Sequence, residues 1–163
     1  MKKILLITII SLVFLNVGCA KNSKKALLIF SYDSEYSWVQ EEARGAEDIL
    51  RNKGIAIEKF YMDTKRHTSR DWGEKAADNA VKKIEEFKPD IVIVFDDNAC
   101  DLVAKKYIGQ KLPFVFCGMN GEPEDYGFPA ENITGVLERE LYAESIELLK
   151  KLVPKVKKVA MLF

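Results

Sequence analysis

Apolar residues fall along this chain in short unbroken runs that alternate with stripes of helical spacing. Ala26 to Phe30 is one such run, and its length and flanks predict a buried strand. From Ser37 the period changes. Val39, Ala43, Ala46 and Leu50 share one helix face, Ser37 and Gln40 have capping-box spacing, and Gly54 is placed to close the helix. Ile55 to Tyr61 predicts a second strand. After a polar loop, a second helix is expected from about Trp72 to Phe87, with Ala77, Ala80, Ile84 and Phe87 facing inward and Pro89 as its stop. Ile91 to Phe95 is almost continuously apolar, as a central parallel strand covered on both faces should be.

Asp97 or Asn98 can cap the next helix, which carries Leu102, Val103 and Tyr107. Leu112 to Phe116 reads as a fourth strand, residues 120–131 as a loop rich in Gly, Pro and acids, and Ile133 to Val136 as a short fifth strand. A helix from about Leu141 to Leu152 ends before Pro154, and Val159 to Phe163 has the pattern of one more strand. This alternation predicts an α/β fold, a doubly wound parallel sheet with right-handed crossovers. The last strand has no turn or covering helix after it, so the expectation is that further structure normally follows.

The polar residues gather where the strands end. Ile91–Phe95 runs into Asp96-Asp97-Asn98, and Phe114–Phe116 runs into Cys117-Gly118-Met119-Asn120. In an open parallel sheet, ligands bind beyond the carboxyl ends of the strands. Ser31, Tyr32 and Asp33 follow the first strand at that same edge, Tyr36 and Trp38 begin the next helix, and Tyr61, Asp63 and Lys65 end the second strand. Aromatic walls with a few converging polar groups are the usual make-up of a small-ligand pocket. Asp96 ends its strand and is expected to point into the crevice. Asp97 serves either a ligand or the helix start, and Trp38 either a ligand or packing against the sheet. Two acids repel phosphate and suit a ligand with an amine, several hydroxyls or other donors. Asn98 and Asn120 offer donors and acceptors alike.

Charge and composition narrow the function. The 163 residues carry 25 basic and 25 acidic side chains and no basic stripe, which argues against nucleic acid as a partner. One core is the expectation at this length. His67 is the sole histidine, so a histidine-dependent triad or multi-histidine metal site is not expected, and no cofactor is implied. There is no nucleophile elbow motif, phosphate-binding Gly-rich loop or HExxH pair, and adjacent Asp96 and Asp97 diverge rather than straddle a bond. Catalysis is therefore not expected, and hydrolysis is only a distant alternative. Asn132-Ile133-Thr134 matches a glycosylation acceptor by chance.

Met1-Lys2-Lys3, the apolar run Ile4 to Leu15 and Asn16-Val17-Gly18-Cys19 form a secretory signal over residues 1–18. Gly18 before Cys19 resembles a bacterial lipobox, with Asn16 where leucine is usual. Cys19 is the expected lipidation site, a plain cleaved signal or an uncleaved anchor being the alternatives. Residues 19–25 are then a polar, basic tether holding the protein outside the cytoplasm, in the periplasm or on the outer face of the cell membrane. Losing Lys2 and Lys3 takes the formal charge from +0 to −2. Cys100 and Cys117 remain, either as a disulfide or as two buried thiols.

The runs PDIVIVFDDNA, LPFVFCGMN, ENITGVLE and LLKKLVPKVKKVAMLF, in that order, resemble the ABC-transporter substrate-binding proteins of the tryptophan/tyrosine type. The chain is similar also to related extracytoplasmic sensor modules, in which SYDSEYSW and YMDTKR have counterparts. The resemblance implies a two-lobed, periplasmic-binding-protein-like protein that closes on a small ligand. Residues 26–140 correspond to the Rossmann-like first lobe, and residues 141–163 to a crossover helix and the first strand of a second. It further implies an ABC permease as partner, or a kinase or cyclase in the sensor alternative. The ligand-facing positions it implies are Ser31, Tyr32, Trp38, Asp96, Asp97, Asn98, Gly118, Asn120 and Glu138. The acidic Asp96-Asp97 tip replaces small residues common in the transporter branch, which speaks against an aromatic amino acid as ligand.

Overall fold

The computed structural model describes residues 23–161. The signal segment, Cys19 and most of the tether lie outside the described residues, as do Leu162 and Phe163. The elements are β1 (Lys25–Phe30), α1 (Ser37–Asn52), β2 (Ala56–Tyr61), α2 (Arg70–Phe87), β3 (Ile91–Phe95), α3 (Asp96–Leu102), a 3-10 turn (Ala104–Tyr107), β4 (Phe114–Met119), α4 (Pro123–Tyr126), β5 (Ile133–Leu137) and α5 (Tyr142–Leu152). The five strands form one sheet in the order β2-β1-β3-β4-β5, and every pairing is parallel. The α/β doubly wound class expected from the alternating pattern is the class observed.

Successive residues of a strand point to opposite faces, and the core divides accordingly. Leu27, Ile29, Val92, Val94, Phe114 and Phe116 share one core with Ala76, Ala77, Ala80 and Ile84 of α2, whose small alanines let this helix approach β1 and β2 closely. Phe114 packs on Tyr107 and Phe116 on Phe128. Leu28, Phe30 and Phe95 face α1 through Val39 and Ala43. At the carboxyl edge Phe30 is in register with both Tyr61 and Phe95. Its ring stacks on theirs at 5.2 Å and 4.4 Å. Three strands therefore end level, which makes the edge a platform.

Local details depart from the sequence expectations. Tyr36, not Ser37, is the N-cap of α1, and it makes no side-chain cap bond. The side chain of Gln40 instead donates to the carbonyl of Ser34 at 3.2 Å, so the capping box does not form. β4 continues through Met119, because Cys117 and Met119 still find partners on β5, so Cys117 and Gly118 belong to the strand. Residues 123–126 form a short helix inside the expected loop. Val159–Met161 pairs with none of the five strands and is not extended sheet; a strand needs a neighbour to satisfy its backbone. α5 buries none of its residues. No helix among the described residues is long and apolar enough to cross a membrane.

Gly135 faces Phe116 across β4 and β5, and a Cβ there meets the Phe116 carbonyl at 2.1 Å and its ring at 2.4 Å. Gly135→Ala is therefore expected to cost about 1–3 kcal/mol through overpacking. Urea unfolding measures it, and an unchanged midpoint contradicts this packing.

Candidate functional site

The site begins with a knot of hydrogen bonds at Ser31, one residue past β1. Its hydroxyl donates to the carbonyl of Phe95 at 2.7 Å and accepts from the backbone N–H of Ala99 at 2.8 Å. Its own carbonyl accepts from the Thr64 N–H at 2.9 Å and the Thr64 hydroxyl at 2.7 Å. Asn98 donates to that hydroxyl at 2.9 Å. One buried serine thus joins the ends of β1, β2 and β3 and satisfies a donor in the first turns of α3. Between Phe95 and Ala99 the chain turns sharply, and Asp96 takes a left-handed φ of 63°. A non-glycine residue there costs roughly 1–2 kcal/mol, although aspartate tolerates the conformation better than most.

That turn aims Asp96 into an open pocket of about 500 Å³, lined by Tyr32, Tyr36, Trp38, Lys65, Asp96, Asn120, Glu138, Glu140 and Tyr142. Asp96 is only 4% exposed, and its Oδ2 has no hydrogen-bond partner. Behind it stands Glu42 of α1, one helical turn beyond Trp38, with a buried Oε2 that is also unpartnered. The two carboxylates converge on Gly118 of β4: a Cβ there lies 3.0 Å from Glu42 Oε1 and 3.5 Å from Asp96 Oδ1. Gly118 also has a φ of 71°, so only glycine suits both the turn and the space. Tyr32 and Tyr36 meet edge to face at 5.7 Å. The Lys65 ammonium lies 4.1 Å from the centre of the Tyr36 ring and 5.0 Å from that of Tyr32, and it donates to the Tyr36 hydroxyl at 2.9 Å.

Burial shifts the acids. Desolvation, then the charges of Asp97 and Glu138, push Asp96 up to about 7, against smaller opposing effects from Lys65 and a hydrogen bond with Trp38. Desolvation and the Asp96 charge push Glu42 up to about 8, with Trp38 again opposing and Glu138 adding to the rise. Desolvation, then the same acids, raises Tyr32 to about 12. Cys117 is raised by burial and by Glu42, Asp96 and Glu138. Cys117 and Cys100 are both free thiols.

Among the residues singled out from the sequence, Tyr32, Tyr36, Trp38, Lys65, Asp96, Asn120 and Glu138 line the pocket, and Gly118 lies against Asp96 and Glu42 outside the lining. Ser31 is wholly buried in the knot. Asp97 turns away: its carboxylate accepts from the N–H groups of Asn120 and Gly121 at 3.2 Å and 2.9 Å and from the Tyr126 hydroxyl at 2.8 Å. It therefore shapes the loop after β4 instead of capping α3, which has no side-chain cap. Asn98 borders a separate groove with Asp101 and Tyr126. Glu42, Glu140 and Tyr142 were not foreseen. Glu42 carries the one recoverable signal, since it shares a helix face with Trp38 at a spacing of four. A further groove of about 440 Å³ runs between α1 and β2, but its Glu47 is paired with Lys59 and Arg51.

Comparison with known proteins follows this geometry. The family profile described as "ABC transporter substrate binding protein" matches residues 29–163. Similar solved structures include an ABC domain in complex with L-Trp from Streptococcus pneumonia, at 18% identity and a TM-score of 0.63, covering 83% of this chain and 45% of that one. A conserved domain protein from Vibrio cholerae aligns at 16% identity and 0.63, covering 83% and 46%. A ligand-free, open substrate-binding protein with adhesive properties from Clostridium difficile aligns at 17% and 0.57, covering 81% and 44%. At these identities the likeness is one of fold, and the chain spans less than half the length of each. No curated protein matches the chain.

The raised acids set a pH dependence. Asp96 and Glu42 hold their protons more tightly folded than unfolded, so the folded state binds more protons between the ordinary carboxylate range and pH 8. The stability these two acids contribute is fully present below the ordinary carboxylate range and is lost as pH rises through about 7 and 8. The charged groups facing the pair are Asp97, Glu138 and Lys65, with Tyr32 and Cys117 beside them. Glu42→Gln is expected to flatten this decline in urea titrations at pH 5, 6.5 and 8; an unaltered profile contradicts the assignment.

Proposed function

This chain belongs to the family of ABC transporter substrate-binding proteins, and from that premise we propose that it captures a small polar solute outside the cytoplasm for an ABC importer. The observation that carries the reading is Asp96, a buried carboxylate with an unpartnered oxygen on a pocket at the carboxyl edge of the sheet. A protein that must hold a solute and hand it on needs such a preorganised acceptor in a pocket open on one side. The Streptococcus relative is bound to L-Trp. In this chain the acids of the pocket favour a ligand presenting N–H or O–H donors.

Capture is proposed to shift an open–closed equilibrium, a second lobe supplying the opposing wall and the permease reading the closed form. The pocket is assigned no reaction, since Asp97 is committed to its loop and does not join Asp96 as an acid/base pair. Lipid on Cys19 is proposed to tether the domain to the membrane.

Two outcomes are expected. Cys19→Ser moves the protein, expressed with its own leader, from the membrane to the soluble fraction; unchanged anchoring refutes lipidation. In a thermal-shift panel of amino acids, polyols and amines, at least one compound raises the melting temperature by several degrees. Asp96→Ala abolishes that shift with the unliganded fold intact, whereas a retained shift removes Asp96 from the binding site.

A further inference from the structure

Resting on the solute-binding reading, we infer that the ligand is a protonated primary amine without a carboxylate of its own, its N–H groups donated to Asp96 and its charge covered by the rings of Tyr32, Tyr36 and Trp38. Three independent features point there. First, Asp96 is more than nine-tenths buried, its side chain lines the pocket, and its buried Oδ2 is unpartnered. A buried acceptor left bare is costly, and a donor restores what folding removed. Second, the walls are aromatic, and ring faces attract cations most strongly where water is excluded. Third, an ammonium already occupies this environment: Lys65 places its Nζ over Tyr36 and Tyr32 and against the Tyr36 hydroxyl. The chain's own side chain shows which charge these rings accept.

The balance of charge separates the amine from its rivals. Glu138 and Glu140 line the pocket beside Asp96, Glu42 stands behind it, and Lys65 is the single cation in the lining. A zwitterionic amino acid brings a carboxylate into this acidic field with only Lys65 to receive it. A polyol satisfies Oδ2 but gains nothing from the net charge. A quaternary ammonium gains from the rings and leaves Oδ2 without a donor. The primary ammonium alone uses acceptor, rings and field together. Lys65 is then a competitor, displaced as the ligand enters.

Titration of the acids gives the inference a distinctive readout. Asp96 must be ionised to bind a cation, and it titrates at about 7 in the free protein. The groups around it are Glu42 from α1, Tyr32 after β1, Lys65 after β2, Asp97 on α3, Cys117 on β4 and Glu138 after β5. Deprotonation of one group at about 7 makes an amine bind roughly tenfold more tightly at pH 8 than at pH 6, because the amine keeps its charge over that range.

The test uses the full chain and a matched set of probes: benzylamine, trimethylbenzylammonium, benzyl alcohol and phenylalanine, with putrescine as an aliphatic amine. Calorimetric titration is expected to give the primary amines the highest affinity, about tenfold stronger at pH 8 than at pH 6. Asp96→Asn, which keeps the left-handed turn accessible, abolishes their binding, and Lys65→Met strengthens it several-fold. Weaker amine binding in Lys65→Met, or phenylalanine or benzyl alcohol binding best, overturns the amine assignment and leaves solute capture standing. Binding of no probe overturns the amine assignment alone, and solute capture is overturned only if no compound of the wider thermal-shift panel raises the melting temperature.

Discussion

Ser31 has no charge and never reaches solvent, yet the geometry of the carboxyl edge depends on the bonds it makes. Its hydroxyl bridges the last carbonyl of β3 and a backbone N–H of α3, and its carbonyl receives Thr64 from the far side of β1. These bonds join segments distant in the sequence, so the edge forms only when the sheet has assembled. The Tyr61-Phe30-Phe95 stack levels the same three strand ends. Together they hold Asp96 in a backbone conformation that it would not adopt alone, with its carboxylate facing an open pocket. Strain of this sort persists where the surroundings over-determine it, and it concentrates where a side chain must be aimed.

The electrostatic consequence is a site loaded against itself. Burial removes water from Asp96 and Glu42 while leaving one oxygen of each without a partner, and the Asp96 charge raises Glu42 further. Neighbouring Asp97 is placed differently, with two backbone N–H groups and a phenol donating to its carboxylate. The Tyr126 phenol, in turn, is held above its ordinary value by burial first and then by that bond. Two consecutive aspartates thus do different work: one fixes the loop that walls the pocket, the other is left available. The cost of the available one falls away when a donor arrives, which makes the empty site less stable than the occupied one.

The layout of the sheet was legible from residues 26–30, 91–95 and 112–116, because buried parallel strands demand apolar runs that little else in a soluble chain produces. Clustering of polar tips at one edge was legible for the same reason. Helix starts were less so. Ser37 and Asp97 have the chemistry of caps, but tertiary contacts decided otherwise: a backbone N–H of α3 is taken by Ser31 from 68 residues away, and Asp97 is drawn to the β4 loop. Glu42 was hidden because a lone glutamate on a helix ordinarily faces solvent, and only the left-handed Gly118 opens the space that brings it to Asp96. The apolar Val159–Met161 pattern suggested a strand from sequence alone, yet none of the described strands lies beside it.

The central claim is that Asp96 is a buried carboxyl with one oxygen left unpartnered, kept ready for a donor. Carbon-13 NMR of the aspartate side-chain carboxyls, with Asp96 assigned by its loss in Asp96→Asn, reads this directly. A titration midpoint near 7 is expected, shared in part with Glu42. A midpoint in the ordinary range near 4 would mean that water or another partner already satisfies Asp96, and the account of the site would fail.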